Sequence, residues 1–239
     1  MSRARSRVLV VGVGGIGCPA ALALARAGIG TIGLCDDDEV ERVNLHRQIL
    51  FTDRDADARR PKIEAAADAL CAVAPGLEVR QHASRLLPSN ALDLVRGYDV
   101  VLEGADNYAT KFLAADACAL AGVRVVHASA VRWVATAFAV GARARPCYRC
   151  LFEDVPANGG LGCAQAGVMG PVVGVIAAAQ VDLALAMVDG IDVEAQLVTY
   201  DGQTNVLRRR AIGSRPDCAL CGSQARIRRI EPQAYLAHG

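Results

Sequence analysis

What this sequence has little of narrows its function before any motif is read. Its 239 residues carry 26 Lys and Arg against 25 Asp and Glu, a net charge of +1, with only 4% aromatic residues. There is no basic stripe and no patch where basic and aromatic residues interleave, which excludes nucleic acid as a primary partner. Long apolar runs are missing too. The most apolar segment, 166–181, is broken by Gly167, Gly170, Pro171, Gly174 and Gln180. It falls short of the roughly 20 residues a bilayer span needs and reads as a buried helix. The basic start Met1-Ser2-Arg3-Ala4-Arg5-Ser6-Arg7 runs into an apolar stretch broken by glycines, so it is not a secretory leader. A cytoplasmic protein with no membrane segment is expected. Repeats, low-complexity tracts and linkers are absent, and the length suits one domain over 1–239.

What is present starts at Val8-Leu9-Val10-Val11-Gly12-Val13-Gly14-Gly15-Ile16-Gly17, followed by an alanine-rich helix. A buried strand, a glycine turn and a helix N-terminus make an anion site, because free N–H groups and the helix dipole favour a phosphate. An acid about 20 residues on is suited to ribose hydroxyls, and Asp36 closes the next apolar strand, Thr31-Ile32-Gly33-Leu34-Cys35. Which nucleotide binds is left open by these residues, and a glycine turn without a ligand is the alternative. Beyond them, helices and strands alternate. Pro61 opens a helix to about Ala74, a strand runs from Leu77 to Gln81, and a helix from Asn90 to Val95. A buried strand over 98–102 leads into Glu103-Gly104-Ala105-Asp106-Asn107, then a helix to about Ala121 and a strand from Val123 to His127. This alternation predicts an α/β fold with a doubly wound, mostly parallel Rossmann-like sheet. The nucleotide-binding half is expected over 1–130. The remainder, 131–239, reads as an antiparallel extension: a strand near 133–140, a helix near 171–187, and strands near 195–200 and 204–210.

Nine cysteines in a cytosolic chain do not argue for disulfides. Cys18, Cys35, Cys71 and Cys118 fall on predicted helices and a strand, where small buried hydrophobes are the default. Cys147-Tyr148-Arg149-Cys150 and Cys218-Ala219-Leu220-Cys221 supply four thiolates, the donor set of a closed structural Zn²⁺ site. A redox pair is the rival reading. Cys163 stands apart in a glycine-rich loop, as either a reactive thiol or a bystander.

A second constellation lies around the first. Asp36, Asp37 and Asp38 are followed by Asn44, Arg47, Gln48 and Lys62. Carboxylates beside Arg and Lys suit Mg²⁺-triphosphate chemistry, in which cations neutralise charge that grows on the phosphates. A solvated charged loop is the alternative. Asp106, at a central strand end, can reach a metal or can merely cap the next helix.

Taken together, Gly12-x-Gly14-Gly15-x-Gly17, Asp36-Asp37-Asp38, Asn44-Leu45-His46-Arg47-Gln48, Pro61-Lys62 and Ala105-Asp106-Asn107 resemble the activating-enzyme family of ubiquitin-like proteins. Cys147-Tyr148-Arg149-Cys150-Leu151 and 163–170 extend the match. The likeness runs from about Arg7 to Cys221 and is greatest to the bacterial ThiF- and MoeB-type sulfur-carrier adenylyltransferases, leaning to the ThiF side. The resemblance implies ATP-dependent adenylylation of the C-terminal glycine of a small ubiquitin-like sulfur carrier ending in Gly-Gly. It implies Gly15 under the phosphates, Asp36 on the ribose, Asn44, Arg47 and Lys62 around the triphosphate, and Asp106 on magnesium. Cys163 matches a loop cysteine that joins covalently to the carrier in ThiF-like members. The resemblance also implies a homodimer in which an arginine ahead of the first strand reaches the partner's site. Here that arginine is missing, or its part falls to Arg3, Arg5 or Arg7. Lys111 stands where an arginine is usual. With no rhodanese segment in the sequence, the sulfur donor is expected to be a separate protein. Two other readings stay open: a subunit needing a partner chain for catalysis, and a nicotinamide oxidoreductase.

Overall fold

The computed structural model describes residues 2–155 and 167–235. Strand β1 (Arg7–Val11) lies inside the sheet, third from one edge. Its residues 8–11 are buried on both faces, which is why the strand reads as an unbroken apolar run. Val8 and Val10 enter one hydrophobic core, and Leu9 and Val11 enter the other. On either side lie β2 (Thr31–Cys35) and β4 (Val100–Glu103), both parallel to β1. The outer strand β3 (Glu78–His82) and β5 (Arg124–Val131) continue the parallel part. From β5 onward the sheet turns antiparallel through β6 (Val134–Val140), β7 (Gln196–Asp201) and β8 (Val206–Ala211). The full order is β3-β2-β1-β4-β5-β6-β7-β8. A doubly wound sheet with an antiparallel extension is therefore what the chain forms.

Helices α1 (Gly17–Arg26), α3 (Lys62–Val73) and the long α7 (Gly170–Val188) cover the face that receives Val8 and Val10. Helices α4 (Ala91–Arg96) and α5 (Tyr108–Ala121) cover the other, together with the cysteine-bearing turn α6 (Tyr148–Leu151). The helices after β1 and β4 thus leave the sheet on opposite sides. Between these neighbouring strands lies a topological switch point, where a crevice opens at the carboxyl ends.

Two local expectations need correction, and one helix is added. Pro61 is not the first helical residue but the N-cap of α3, with extended backbone. A short helix, α2 (Asp53–Asp57), stands in a charged stretch with no apolar period; Thr52 and Asp55 cap it reciprocally. Cys71 is exposed rather than buried: the last turn of α3, 71–73, is exposed as a unit. Cys18, Cys35 and Cys118 are buried as expected. By length and composition α7 could cross a membrane, but most of it is buried inside the protein.

Candidate functional site

The glycine turn is built from backbone necessity. Gly12 sits at φ +85°, and a Cβ there would meet Gly104 and Ala105 at 3.4 Å. A Cβ on Gly17 would come within 2.0 Å of the Gly12 carbonyl oxygen, so the turn closes only with glycine there. Asp36 stitches the turn to the end of β2: its carboxylate accepts the Val13 N–H at 2.7 Å and the Asp38 N–H at 2.9 Å. That carboxyl is nearly buried, 9% exposed, and burial pushes its pKa up while Lys62 opposes the shift.

Lys62, on the first turn of α3, is buried with its head turned into this turn. Its Nζ lies 2.8 Å from Asp38 Oδ2 and 4.0 Å from Asp36 Oδ1. The Lys62 N–H also donates to the Asp38 carbonyl at 2.9 Å, locking the helix start to the acidic loop. Arg47 approaches from the other side and lies across Gly15, where a Cβ would stand 3.1 Å from its Cδ. Its Nη1 is 3.2 Å from His46 Nε2. Gln48 is buried beside Gly14, and its Oε1 has no hydrogen-bond partner. One unsatisfied acceptor here is what a ligand or water would be expected to fill.

Not every predicted residue converges. The Asn44 side chain turns to Glu41, donating to Oε2 at 2.9 Å. Asn107 caps α5 by accepting the Thr110 N–H at 2.8 Å. Asp106 is exposed at the mouth of the crevice, close enough to Arg85 to influence it electrostatically. Arg3 and Arg7 stand at the opposite edge, paired with Asp189 and Asp99. A hollow of about 570 Å³ lies elsewhere, lined by Leu50, Asp55, Arg60 and Asp68 among others. The crevice at the strand ends is marked by its convergent charge.

The four cysteines of the two pairs come together on the α5 face, all four Sγ atoms within 4.8 Å of one another. Cys147 Sγ lies 3.4 Å from Cys218 Sγ and 3.9 Å from Cys150 Sγ, and Cys150 Sγ lies 3.3 Å from Cys221 Sγ. The edge of a zinc–thiolate tetrahedron, with bonds of about 2.3 Å, is about 3.8 Å. The set can hold zinc with no position left over for a substrate. Cys163 lies outside the described residues.

The sequence profile of the ThiF family matches residues 3–220. The chain belongs to the ThiF family. "Adenylyltransferase and sulfurtransferase MOCS3" of Drosophila sechellia is 42% identical over 226 residues, 93% of this chain and 49% of that protein. The mouse protein of the same name is 41% identical over 232 residues, covering 95% and 50%. The chain thus spans about half the length of the curated relatives it matches. In fold it is similar to the crystal structure of E. coli MccB with ATP, with a TM-score of 0.79 and 22% identity. That match covers 92% of this chain and 68% of MccB. PaaA gives a TM-score of 0.73 at 20% identity, over 88% and 65%.

For a ThiF-family chain, two features of the crevice were invisible in the sequence. Arg85, on the loop after β3, holds Asp37 at 2.9 Å and Asp38 at 3.8 Å; a lone arginine in a polar loop gives no signal. Lys111 does not face the crevice. It is buried, 3.1 Å from both oxygens of Glu103, so its charge is spent inside the protein.

Proposed function

We propose that this chain is an ATP-dependent adenylyltransferase that activates the C-terminal glycine carboxylate of a small ubiquitin-like sulfur carrier. The observation that carries the reading is the placement of Arg47 over Gly15 and of Lys62 against Asp36 and Asp38. Two cations then flank one phosphate-sized turn, a pairing a nicotinamide enzyme has no use for. In this reading ATP lies over 12–17, with Asp36 toward the ribose. A carrier carboxylate oxygen attacks the α-phosphorus, the bond to the β-phosphate oxygen breaks, and pyrophosphate leaves. Arg47 and Lys62 offset the charge gathering on the departing phosphates, and Gln48 offers its unpaired oxygen to whatever donor arrives. Asp106, an exposed carboxylate of the hard-oxygen type magnesium prefers, would hold Mg²⁺, which supplies further charge neutralisation. The names of the curated relatives support adenylylation ahead of sulfur transfer. Whether the product serves thiamine, molybdopterin or another pathway rests on the carrier. A Gly-Gly carrier encoded beside this chain would name it.

The whole of 1–239 acts in this reading as one adenylation domain. The four cysteines bind a structural Zn²⁺, Cys163 takes the carrier covalently when a separate donor protein delivers sulfur, and the unit is a homodimer. A second reading has one specific observation in its favour: Arg3 and Arg7 are paired with Asp189 and Asp99, away from the carboxyl ends of the strands where the crevice lies. Neither serves its own chain's crevice, so Arg5 or another chain would have to bring an arginine there.

The test is ATP–pyrophosphate exchange with recombinant Gly-Gly carrier. Asp106→Ala should lower exchange about a hundred- to a thousand-fold, the usual cost of losing one electrostatic stabiliser; unchanged exchange would remove Asp106 from the site. Cys163→Ser should keep exchange within about threefold, under ~1 kcal/mol, because the carboxylate and not a thiol attacks phosphorus. The same variant should lose any reducible carrier adduct on a non-reducing gel. Sedimentation of the chain alone, alongside its exchange rate, separates the self-sufficient dimer from the partner-dependent subunit.

A further inference from the structure

Glu103, the last residue of β4, carries a carboxylate with no exposed surface. A buried charge persists only when partners compensate it, and here every partner is identifiable. Lys111 Nζ donates to both oxygens at 3.1 Å and His127 Nδ1 donates to Oε2 at 3.1 Å. Lys111 is itself fixed by the Ala128 carbonyl at 2.7 Å. His127 Nε2 is buried with no hydrogen-bond partner, so its ring is held by Glu103 and by stacking on Tyr148, 4.4 Å between centroids. The backbone of Glu103 is gripped as well: Gln180 Nε2 donates to its carbonyl at 2.9 Å.

One contact of this carboxylate points outward. Oε1 accepts the N–H of Ala105 at 2.7 Å, the residue immediately before Asp106. The same Ala105 nitrogen lies 3.4 Å from where a Gly12 Cβ would be, so the turn rests directly on the glycine loop. We infer that Glu103, braced by Lys111 and His127, is a positioning residue that sets where Asp106 stands over the nucleotide crevice. An ion pair meant only to stabilise the core has no need to reach the backbone of a functional turn. This inference rests on the reading of Asp106 as the magnesium residue.

The test needs no carrier. Full-length protein is titrated with the non-hydrolysable analogue AMPCPP, with and without Mg²⁺, in an isothermal calorimeter. Wild type should bind the analogue more tightly with Mg²⁺. Glu103→Gln should cut that gain about tenfold and leave the metal-free affinity within about twofold; a defect of folding alone would weaken both. In an Asp106→Asn background, Glu103→Gln should cause no further loss, because both substitutions act on one interaction. Should Glu103→Gln fail to fold, His127→Phe removes one brace while keeping a ring on Tyr148, and should cut the gain about threefold. If Asp106→Asn loses the gain while Glu103→Gln, or His127→Phe in its place, keeps it, the positioning role is overturned and the magnesium assignment stands. If Asp106→Asn itself keeps the gain, the magnesium assignment fails and takes the inference with it.

Discussion

Arg47 owes its position to an atom that is not there. Gly15 has an ordinary backbone conformation, so alanine fits the chain, but its Cβ would displace the arm of Arg47. Gly15→Ala should therefore fold with a melting temperature near wild type while pyrophosphate exchange falls, by about threefold to tenfold as the arginine arm gives way slightly. Full exchange in this variant would mean Arg47 does not act from that position. Residues such as Gly12, Gly17 and Asp36 were legible in the sequence because strand, glycines, helix, strand and acid follow one another locally. Lys62 and Arg47 were legible through charge pattern and resemblance. Arg85, Glu103 and His127 were not, because the chain does not announce which polar side chains turn inward. Lys111, noted in the sequence only as standing where an arginine is usual, turns inward as well. A charge at a helix start looks alike whether it faces phosphate or a buried acid.

At the scale of elements, apolar runs and glycines fixed the order of strands and helices well, and their ends less well. Strand β5 continues to Val131, four residues beyond its expected end at His127, because pairing with β6 extends it past the parallel ladder. Helix α6 is a single turn inside the cysteine pair, too short to show a period. That turn ties distant segments together: Arg149 reaches buried Asp116 of α5 at 2.8 Å and the Glu153 carbonyl at 3.1 Å. Protein purified without chelator should hold about one zinc per chain. Cys218→Ser should lower both metal content and melting temperature; metal analysis showing no zinc in wild type would refute the assignment. Burial raises the Cys218 thiol, but the amides of Cys221 and Leu220 with the Cys147 and Cys221 side chains together bring it down to about 7, while burial and the neighbouring thiols push Cys147 and Cys221 up.

For the molecule as a whole, acid should be the destabilising direction. Burial lowers the pKa of His127, with Glu103 opposing and Lys111 reinforcing. Glu103 would be raised by burial, but Lys111 and His127 hold it below the usual carboxylate range. Both groups bind protons more weakly in the folded state, so their contribution is complete above about pH 6.5, the unfolded histidine value. It is lost as pH falls through the lower folded values, first through His127 and then through Glu103. Melting temperature against pH should decline below about 6.5, and His127→Gln should flatten the upper part of that decline. A decline of the same shape in the variant would exonerate the histidine.

The sheet also has two outermost strands, β3 and β8. Edges of this kind invite other chains to add a strand, a route to aggregation that proteins commonly blunt with charge. Here β8 reads Val206-Leu207-Arg208-Arg209-Arg210-Ala211 and β3 reads Glu78-Val79-Arg80-Gln81-His82. Three consecutive arginines put like charge on both sides of one rim. Two copies meeting edge to edge in parallel or antiparallel register would set guanidinium against guanidinium. Like charge on β8 thus works against edge-to-edge strand addition at the rim that the antiparallel extension forms.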